Sequence, residues 1–442
     1  MERGWQQSPF TDFALDIPRL FSMTSSSSPE RADADAAASA GNIHWRRNLA
    51  VCFAGSFSTI VAMTLLLPFL PLYVEELGVQ GHAAIVQWSG VAYGATFFAA
   101  ALVAPLWGRL GDRYGRKLML VRASFGMAIC MSLTGMVQSV WQLVLLRLLV
   151  GLAGGYASGS TILVAMQAPK ARSGWALGVL SAGIMAGNLV GPLIGGGLPP
   201  LIGIRATFLL AGGVIFLAFL ATVFLIKEMP RPAKPARQEG KRRGGWAQIP
   251  DKRPVAAMLA TGMLLMFATM SIEPIITVYV GQLVDDPARV TLVSGVVMSA
   301  AALGAILSAS RLGRLADRVG HWTVIIGALA VAALLLVPQA FVTAGWQLVA
   351  LRFLMGLALG GLLPCVTSVI RHNVPDGVGG NVLGMSISAQ YAGQVAGPLL
   401  GGFIGGHFGM PAVFLGTAVL LAMGALANAV LRARHQRVAA GA

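Results

Sequence analysis

Three stretches constrain this chain before any other feature does. Val51 to Val74 and Ala206 to Ile226 carry no charged side chain, and Val255 to Val280 carries only Glu273. A helix needs about 20 apolar residues to cross the hydrocarbon core of a bilayer, and all three reach that length. Composition agrees: 56% of the chain is apolar and 11% charged, against about 25% charged in an ordinary soluble protein. Placed along the whole chain, the same pattern predicts twelve spans, at roughly 50–74, 85–107, 118–137, 140–164, 173–198, 205–226, 255–281, 291–311, 322–343, 346–370, 381–405 and 411–431.

What lies between the spans is polar and basic. The first 46 residues, with the run Ser25–Ser28, read as a disordered tail and not as a signal peptide, since no apolar core follows a basic start. Met23 is an alternative start. Residues 227–254, rich in Pro, Lys and Arg, read as a solvated linker, and 433–442 as a second tail. The six-span bundles are therefore 47–226 and 255–432. The net charge of +15 does not indicate a nucleic-acid binder, because the basic residues fall in alternate loops. With both termini in the cytoplasm, the outward loops hold only Arg205 and Arg289 of the 32 basic residues, and Arg147 and Arg352 lie within spans. Basic loops stay inside, so this orientation is expected. Cys52, Cys130 and Cys365 are scattered among apolar stretches and predict neither disulfides nor a metal site.

The chain repeats itself. Gly108-Arg-Leu-Gly-Asp112-Arg113 recurs as Gly313-Arg-Leu-Ala-Asp317-Arg318, Trp141-Gln-Leu with Arg147 as Trp346-Gln-Leu with Arg352, and Gly187 to Gly196 as Gly393 to Gly402. The offsets, 205 or 206, are nearly constant, and Tyr73-Val74 recurs at Tyr279-Val280. The expected fold is an all-α membrane protein of two pseudo-symmetric six-helix bundles, the plan in which a midplane site between two halves is exposed to each side in turn.

With these motifs, the chain from about Trp45 onward resembles the major facilitator superfamily. Gly108 to Lys117 matches that family's signature loop between spans 2 and 3, and Gly187 to Gly196 is similar to the signature of its drug:proton antiporter branch on span 5. Leu67 to Val74 and Ser173 to Gly178 look closer still to the MdtG-type bacterial multidrug efflux group. The resemblance implies a monomeric inner-membrane carrier, without cofactor, that exchanges small amphipathic molecules for protons. Uptake or exchange of one metabolite, a sugar or a carboxylate, is the alternative. No HExxH, GxSxG or phosphate-binding loop is present to suggest an enzyme.

Residue roles follow. Gly108, Asp112, Arg113, Gly115, Arg116 and Lys117 form a gating cluster in which Asp112 caps a helix or pairs with an arginine across the halves, with Asp317 and Arg318 as the second copy. There His321-Trp322 replaces Arg116-Lys117, so the second copy is expected to be weaker. Gly187, Gly191, Pro192, Gly195 and Gly196, repeated as Gly393, Gly397 and Pro398 with their following glycines, permit close approach and bending. Of 17 acidic residues only Glu273 falls inside a span. An intramembrane carboxylate is functional by default, so Glu273 is the candidate proton carrier; a wetted gate residue about 12 Å from the outer end of its helix is the other reading. Arg147, at a position the family resemblance associates with proton transfer, is its candidate partner, while Arg147 and Arg352 could instead snorkel to the outer headgroups. Met63, Thr64, Tyr156, Gln390, Tyr391 and Gln394 are the expected substrate contacts.

Overall fold

Pro68 and Pro274 each interrupt a long apolar stretch, and a proline inside a helix removes a backbone hydrogen bond and clashes with the preceding turn. The computed structural model, which describes residues 44–228, 245–249, 251–375 and 378–440, has a short 3-10 turn at each: Leu67–Phe69 and Glu273–Ile275. Most of the predicted first tail, with Met23, and most of the 227–254 linker lie outside the described residues. The twelve long helical segments are α1 (Trp45–Glu76, including its turn), α2 (His82–Tyr114), α3 (Arg116–Thr134), α4 (Val140–Gln167), α5 (Lys170–Ile202) and α6 (Ile204–Leu225), then α7 (Lys252–Gly281, with its turn), α8 (Pro287–Val319), α9 (His321–Gln339), α10 (Gly345–His372), α11 (Gly379–Phe408) and α12 (Met410–Ala440). The helix of α12 continues through residues 433–440, which the sequence suggests are tail.

Eleven of these segments are apolar enough to span a membrane on composition alone. The exception is α11, thirty residues long and rich in Gly, Ser and Gln. It packs between α2 and α7, so its small residues meet neighbouring backbones where leucines would meet lipid.

Within the first six segments α1 packs on α5 and α6, α2 on α4, and α3 on α6; within the second six α7 packs on α11, α8 on α10, and α9 on α12. The halves meet along α2–α11 and α5–α8. Equivalent residues make equivalent bonds: the Tyr73 hydroxyl donates to the Thr134 carbonyl at 2.6 Å, and that of Tyr279 to the Gln339 carbonyl at 2.9 Å.

An even number of spans puts the chain ends and the central linker on one face, called here the terminal face; the opposite one is the far face. The halves touch near the far face. Gly90 lies against the Pro398 carbonyl and Gly295 against the Pro192 carbonyl, while a Cβ on Gly402 would sit 3.0 Å from the Val86 carbonyl oxygen. The Ser299 hydroxyl donates to the Leu189 carbonyl at 2.7 Å, and the two proline turns meet where the Thr277 hydroxyl donates to the Leu67 carbonyl at 3.4 Å. Toward the terminal face of the same helices, Gly108, Gly174, Gly178, Gly313 and Gly384 have no neighbour within 4 Å of where a side chain would begin.

Candidate functional site

Beneath the far-face seam lies a cavity of about 300 Å³ lined by Met63 of α1, Thr96 and Phe97 of α2, Val150, Gly151, Gly154 and Gly155 of α4, and Ile387, Gln390, Tyr391 and Gln394 of α11. Its wall on α4 is a break. Gly155, at φ +104°, starts a new helix there, a conformation side-chain-bearing residues avoid. The carbonyls freed at the break are taken up by Arg122, whose Nη1 donates to Leu152 at 3.0 Å and Nη2 to Gly154 at 2.9 Å, and by Trp107 Nε1, 2.9 Å from Leu152. The Arg122 guanidinium also stacks over the Trp107 ring at 3.7 Å. Gln394 reaches the Met266 sulfur at 3.5 Å, so α7 stands directly behind α11.

Four of the six residues expected to touch substrate line this cavity: Met63, Gln390, Tyr391 and Gln394. Thr64 and Tyr156 are placed elsewhere. The Thr64 hydroxyl bonds to Ile60 of its own helix at 2.9 Å and fills the space at Gly191 of α5. Tyr156 is fully buried within the first half, against Gly55, with its hydroxyl 2.7 Å from that of Thr222. A large buried phenol needs a polar partner, and Thr222 supplies one inside the bundle. Thr96 and Phe97 belong to the wall and were not anticipated, because nothing in a single amphipathic stretch marks which residues face a cavity.

Toward the far face from the cavity lie the intramembrane charges. Glu273 opens the α7 turn and is half-buried. Arg147 and Arg352, seven residues from the far-face starts of α4 and α10, are 0% and 3% exposed, which rules out snorkelling in this conformation. In each, Nε and Nη2 have no hydrogen-bond partner. Arg147 Nη1 points at the Met131 sulfur, 4.0 Å away, and Arg352 faces the Phe414 ring at 5.9 Å. A buried cation without a counter-ion costs several kcal/mol, so both guanidiniums call for negative charge. Glu273 is the acid in electrostatic reach of Arg352. Arg147, the partner expected for it, forms no ion pair with it among the described residues.

At the terminal face Asp112 pairs with Arg116, four residues on. The capping role anticipated for Asp112 is performed by Glu228, just past α6: its carboxylate accepts from the backbone N–H of Arg116 at 2.9 Å and of Lys117 at 3.0 Å, the N-terminus of α3. An acid at a helix start satisfies free N–H groups and the helix dipole together. Gly115 is required here, both by its φ of +113° and because a Cβ would lie 3.0 Å from Glu228 Oε2. The chain leading to Glu228 is pinned as well. Asn48 Nδ2 donates to the Lys227 carbonyl at 2.8 Å and to Gln167 Oε1 at 2.6 Å, and Lys227 N donates to Asn48 Oδ1 at 3.2 Å. The linker's first residues are therefore docked structure, which Pro and charge content alone did not reveal. Arg113 lies over the Tyr114 ring at 5.2 Å. In the second copy Asp317 has His321 Nε2 at 3.7 Å, and Arg318 is exposed.

The glycine motif divides its work. Gly187, Gly191 and Gly195 lie against Ile60, Thr64 and the Leu65 carbonyl of α1, and Gly196 against Thr291 of α8 in the other half. Gly393, Gly397 and Gly401 lie likewise against Met263, Phe267 and Ser271 of α7, and Gly402 against Val86 of α2. Pro192 and Pro398 stay inside continuous helices.

The sequence model of the Major Facilitator Superfamily matches residues 52–346 and 292–441. The multidrug resistance protein MdtG of Dickeya zeae (strain Ech586) is 42% identical over 385 residues, covering 87% of this chain and 94% of its own. That of Salmonella typhimurium (strain LT2) is 43% identical over 384 residues, covering 87% and 95%. Among solved structures, the peptide transporter POT superposes with a TM-score of 0.72 at 16% identity, covering 87% of this chain and 94% of that one. The nucleoside transporter NupG superposes at 0.69 and 15%, covering 88% and 99%. A bacterial homologue of the lysosomal transporter Spinster, inward-facing and unoccupied, does so at 0.68 and 14%, covering 88% and 96%. At such identities the structures speak for the fold alone.

Proposed function

The chain belongs to the major facilitator superfamily, and on that premise we propose that it exports drug-like amphipathic molecules from the bacterial cytoplasm or inner leaflet, driven by protons moving inward. Near-full-length identity to multidrug resistance proteins supports the direction and the substrate class. The cavity supports it too: Met63, Phe97 and Tyr391 offer adaptable apolar contact, and two glutamines offer amide groups. The protein works as a monomer in the inner membrane, with both termini in the cytoplasm. In that orientation the far face is periplasmic and shut, and the conformer is inward-facing.

The observation that carries proton coupling is Glu273, the one acid inside a predicted span, set at a helix break. Export against protons requires that substrate and proton compete. With Glu273 ionised, the inward-facing cavity takes substrate. After the halves rock open on the periplasmic side, protonation of Glu273 favours release. Return to the inward-facing state then lets the proton leave to the cytoplasm. Asp112, Arg116 and the glycine seams set the balance between the two conformers, a few kcal/mol being enough.

The test is export of a panel of lipophilic dyes and drugs from everted vesicles, with and without an imposed pH gradient. Gradient-dependent movement of panel members by the wild type, lost in Glu273→Gln while binding persists, supports the reading. Movement of no panel member overturns the drug class, and gradient-driven export by Glu273→Gln overturns the proton site.

A further inference from the structure

Both halves carry a glycine pair at the same level, Gly154-Gly155 in α4 and Gly360-Gly361 in α10, but the backbones differ. Gly154 is extended at φ −58°, ψ −176°, and Gly155 is left-handed at φ +104°, ψ 13°. Gly360, the repeat counterpart of Gly155, keeps helical angles of −61° and −21°, and its N–H donates to the Gly356 carbonyl at 3.0 Å. The surroundings differ at the same place. Arg122 and Trp107 stand against α4, and their hydrogen bonds take up the Leu152 and Gly154 carbonyls. At an offset of 205 their counterparts are Gly327 and Leu312, which carry no side-chain donor. Helix α3 comes close to α4 on both sides of the break: a Cβ on Gly126 would lie 2.8 Å from that of Ala153, and one on Gly159 2.9 Å from Leu120 Cδ2. Among the described residues Arg122 forms no ion pair, so backbone carbonyls are its partners. The broken helix is also the one that reaches the cavity, whose wall holds Val150, Gly151, Gly154 and Gly155 of α4 and no residue of α10.

We infer that Arg122, braced by Trp107, is the positioning residue for the α4 wall and sets the largest substrate the cavity admits. A carbonyl freed at membrane depth has no bulk water to bond, so a broken helix needs donors and otherwise rewinds. The guanidinium offers a planar fork that serves two carbonyls in a fixed geometry, where an ammonium is a point charge. Stacking on the indole holds the fork in place. Without these donors nothing bars Gly154 and Gly155 from helical angles. The bonds of a continuous helix then become the outlet for the Leu152 and Gly154 carbonyls. The wall takes the course that α10 takes in the other half, and the space it bounds shrinks. The inference rests on the export reading for what occupies the cavity, and not for the wall itself.

Arg122→Met keeps the stem and removes every donor. Trp107→Phe removes a single donor and takes its place where the first variant does not fold. One readout is hydrogen exchange at the amides of residues 155–158, which open the second piece of α4 and have no partner within it. Arg122→Met is expected to slow that exchange about tenfold as the helix rewinds; unchanged or faster exchange overturns the inference. The other readout is binding of panel members of graded size. Kd for the largest is expected to rise about tenfold and for the smallest less than about threefold, with kcat of export within about threefold throughout. Arg122→Lys, which returns a charged donor, brings the largest back to within about threefold of wild type. A Cβ on Gly155 meets nothing closer than 3.8 Å, so Gly155→Ala acts through its backbone angle alone and reproduces the loss. Combined with Arg122→Met it adds less than about twofold, since both lead to one rewound helix. Equal loss at every size, or additive losses in the double variant, assigns Arg122 to general packing and overturns the inference. The exchange readout needs no substrate. If the wild type binds no panel member, the export reading falls and exchange alone decides the wall. If the wild type binds and Arg122→Met matches it at every size, only the role of Arg122 falls.

Discussion

The turn Leu67–Phe69 in α1 and the turn Glu273–Ile275 in α7 are one backbone feature present twice. Each holds a proline at its second position, follows a helix that ends one turn earlier, and precedes a short helix carrying a buried tyrosine, Tyr73 or Tyr279, whose hydroxyl donates to a backbone carbonyl at the far end of α3 or α9. They meet near the pseudo-axis. Their first residues differ completely: Leu67 is 2% exposed core, and Glu273 is a carboxyl in the field of a buried arginine. Duplication supplied a symmetric hinge, and one substitution made it chemically one-sided. A carrier whose halves both held the carboxyl would face like charges across its own axis, where a neighbouring acid suppresses ionisation of the other.

The strongest way to test that asymmetry is to change both members. Glu273→Gln is expected to lower gradient-driven export about 100-fold, near 2.7 kcal/mol at 1.36 per tenfold. Leu67→Met, of similar volume, stays within about threefold. Comparable losses from the two, measured in everted vesicles at matched expression, would mean the turns act as hinges only and the charge is incidental.

Where the halves are alike, matched changes should cost alike. A Cβ on Gly195 would strike the Leu65 carbonyl, and one on Gly401 the Ser271 carbonyl. Backbone cannot yield as a flexible side chain can. Gly195→Val and Gly401→Val are each expected to destabilise by about 2 kcal/mol, read as loss of thermal stability in detergent. A gap between them as large as the effect itself would show that the two glycine seams are not equivalent.

These seams were legible in the sequence because a repeat offset and a spacing of glycines are both one-dimensional signals. The twelve spans and their pairing into two sets of six followed from the same kind of pattern. The cavity was legible in part: Gln390, Tyr391 and Gln394 share one polar stretch of α11, and polarity inside a span is visible. Phe97 and Glu228 were not. Phe97 is an aromatic residue in an apolar helix, indistinguishable from packing until the neighbours are known. Glu228 sits at the head of a basic, proline-rich segment, and its partners are backbone N–H groups 112 and 111 residues away. Arg352 read as a headgroup anchor because its distance from the helix end fits snorkelling; only the packing around it shows the guanidinium enclosed.

The signature loop gives the smallest and sharpest contrast. In the first half Arg116 pairs with Asp112, and Glu228 caps the helix start behind it. In the second, His321 stands 3.7 Å from Asp317, and the position 205 residues after Glu228 is Ala433, so the acid cap has no counterpart. A permanently charged, partly buried guanidinium makes the stronger charge-assisted bond. Arg116→Gln is therefore expected to slow export about fivefold by shifting the balance of conformers, and His321→Gln less than twofold. The same shift should be readable without transport, as altered accessibility of single cysteines placed at the open positions Gly178 and Gly384. If the histidine change moves accessibility as far as the arginine change does, the second loop gates as strongly as the first. The one-sidedness of this molecule would then be confined to the turn at Glu273.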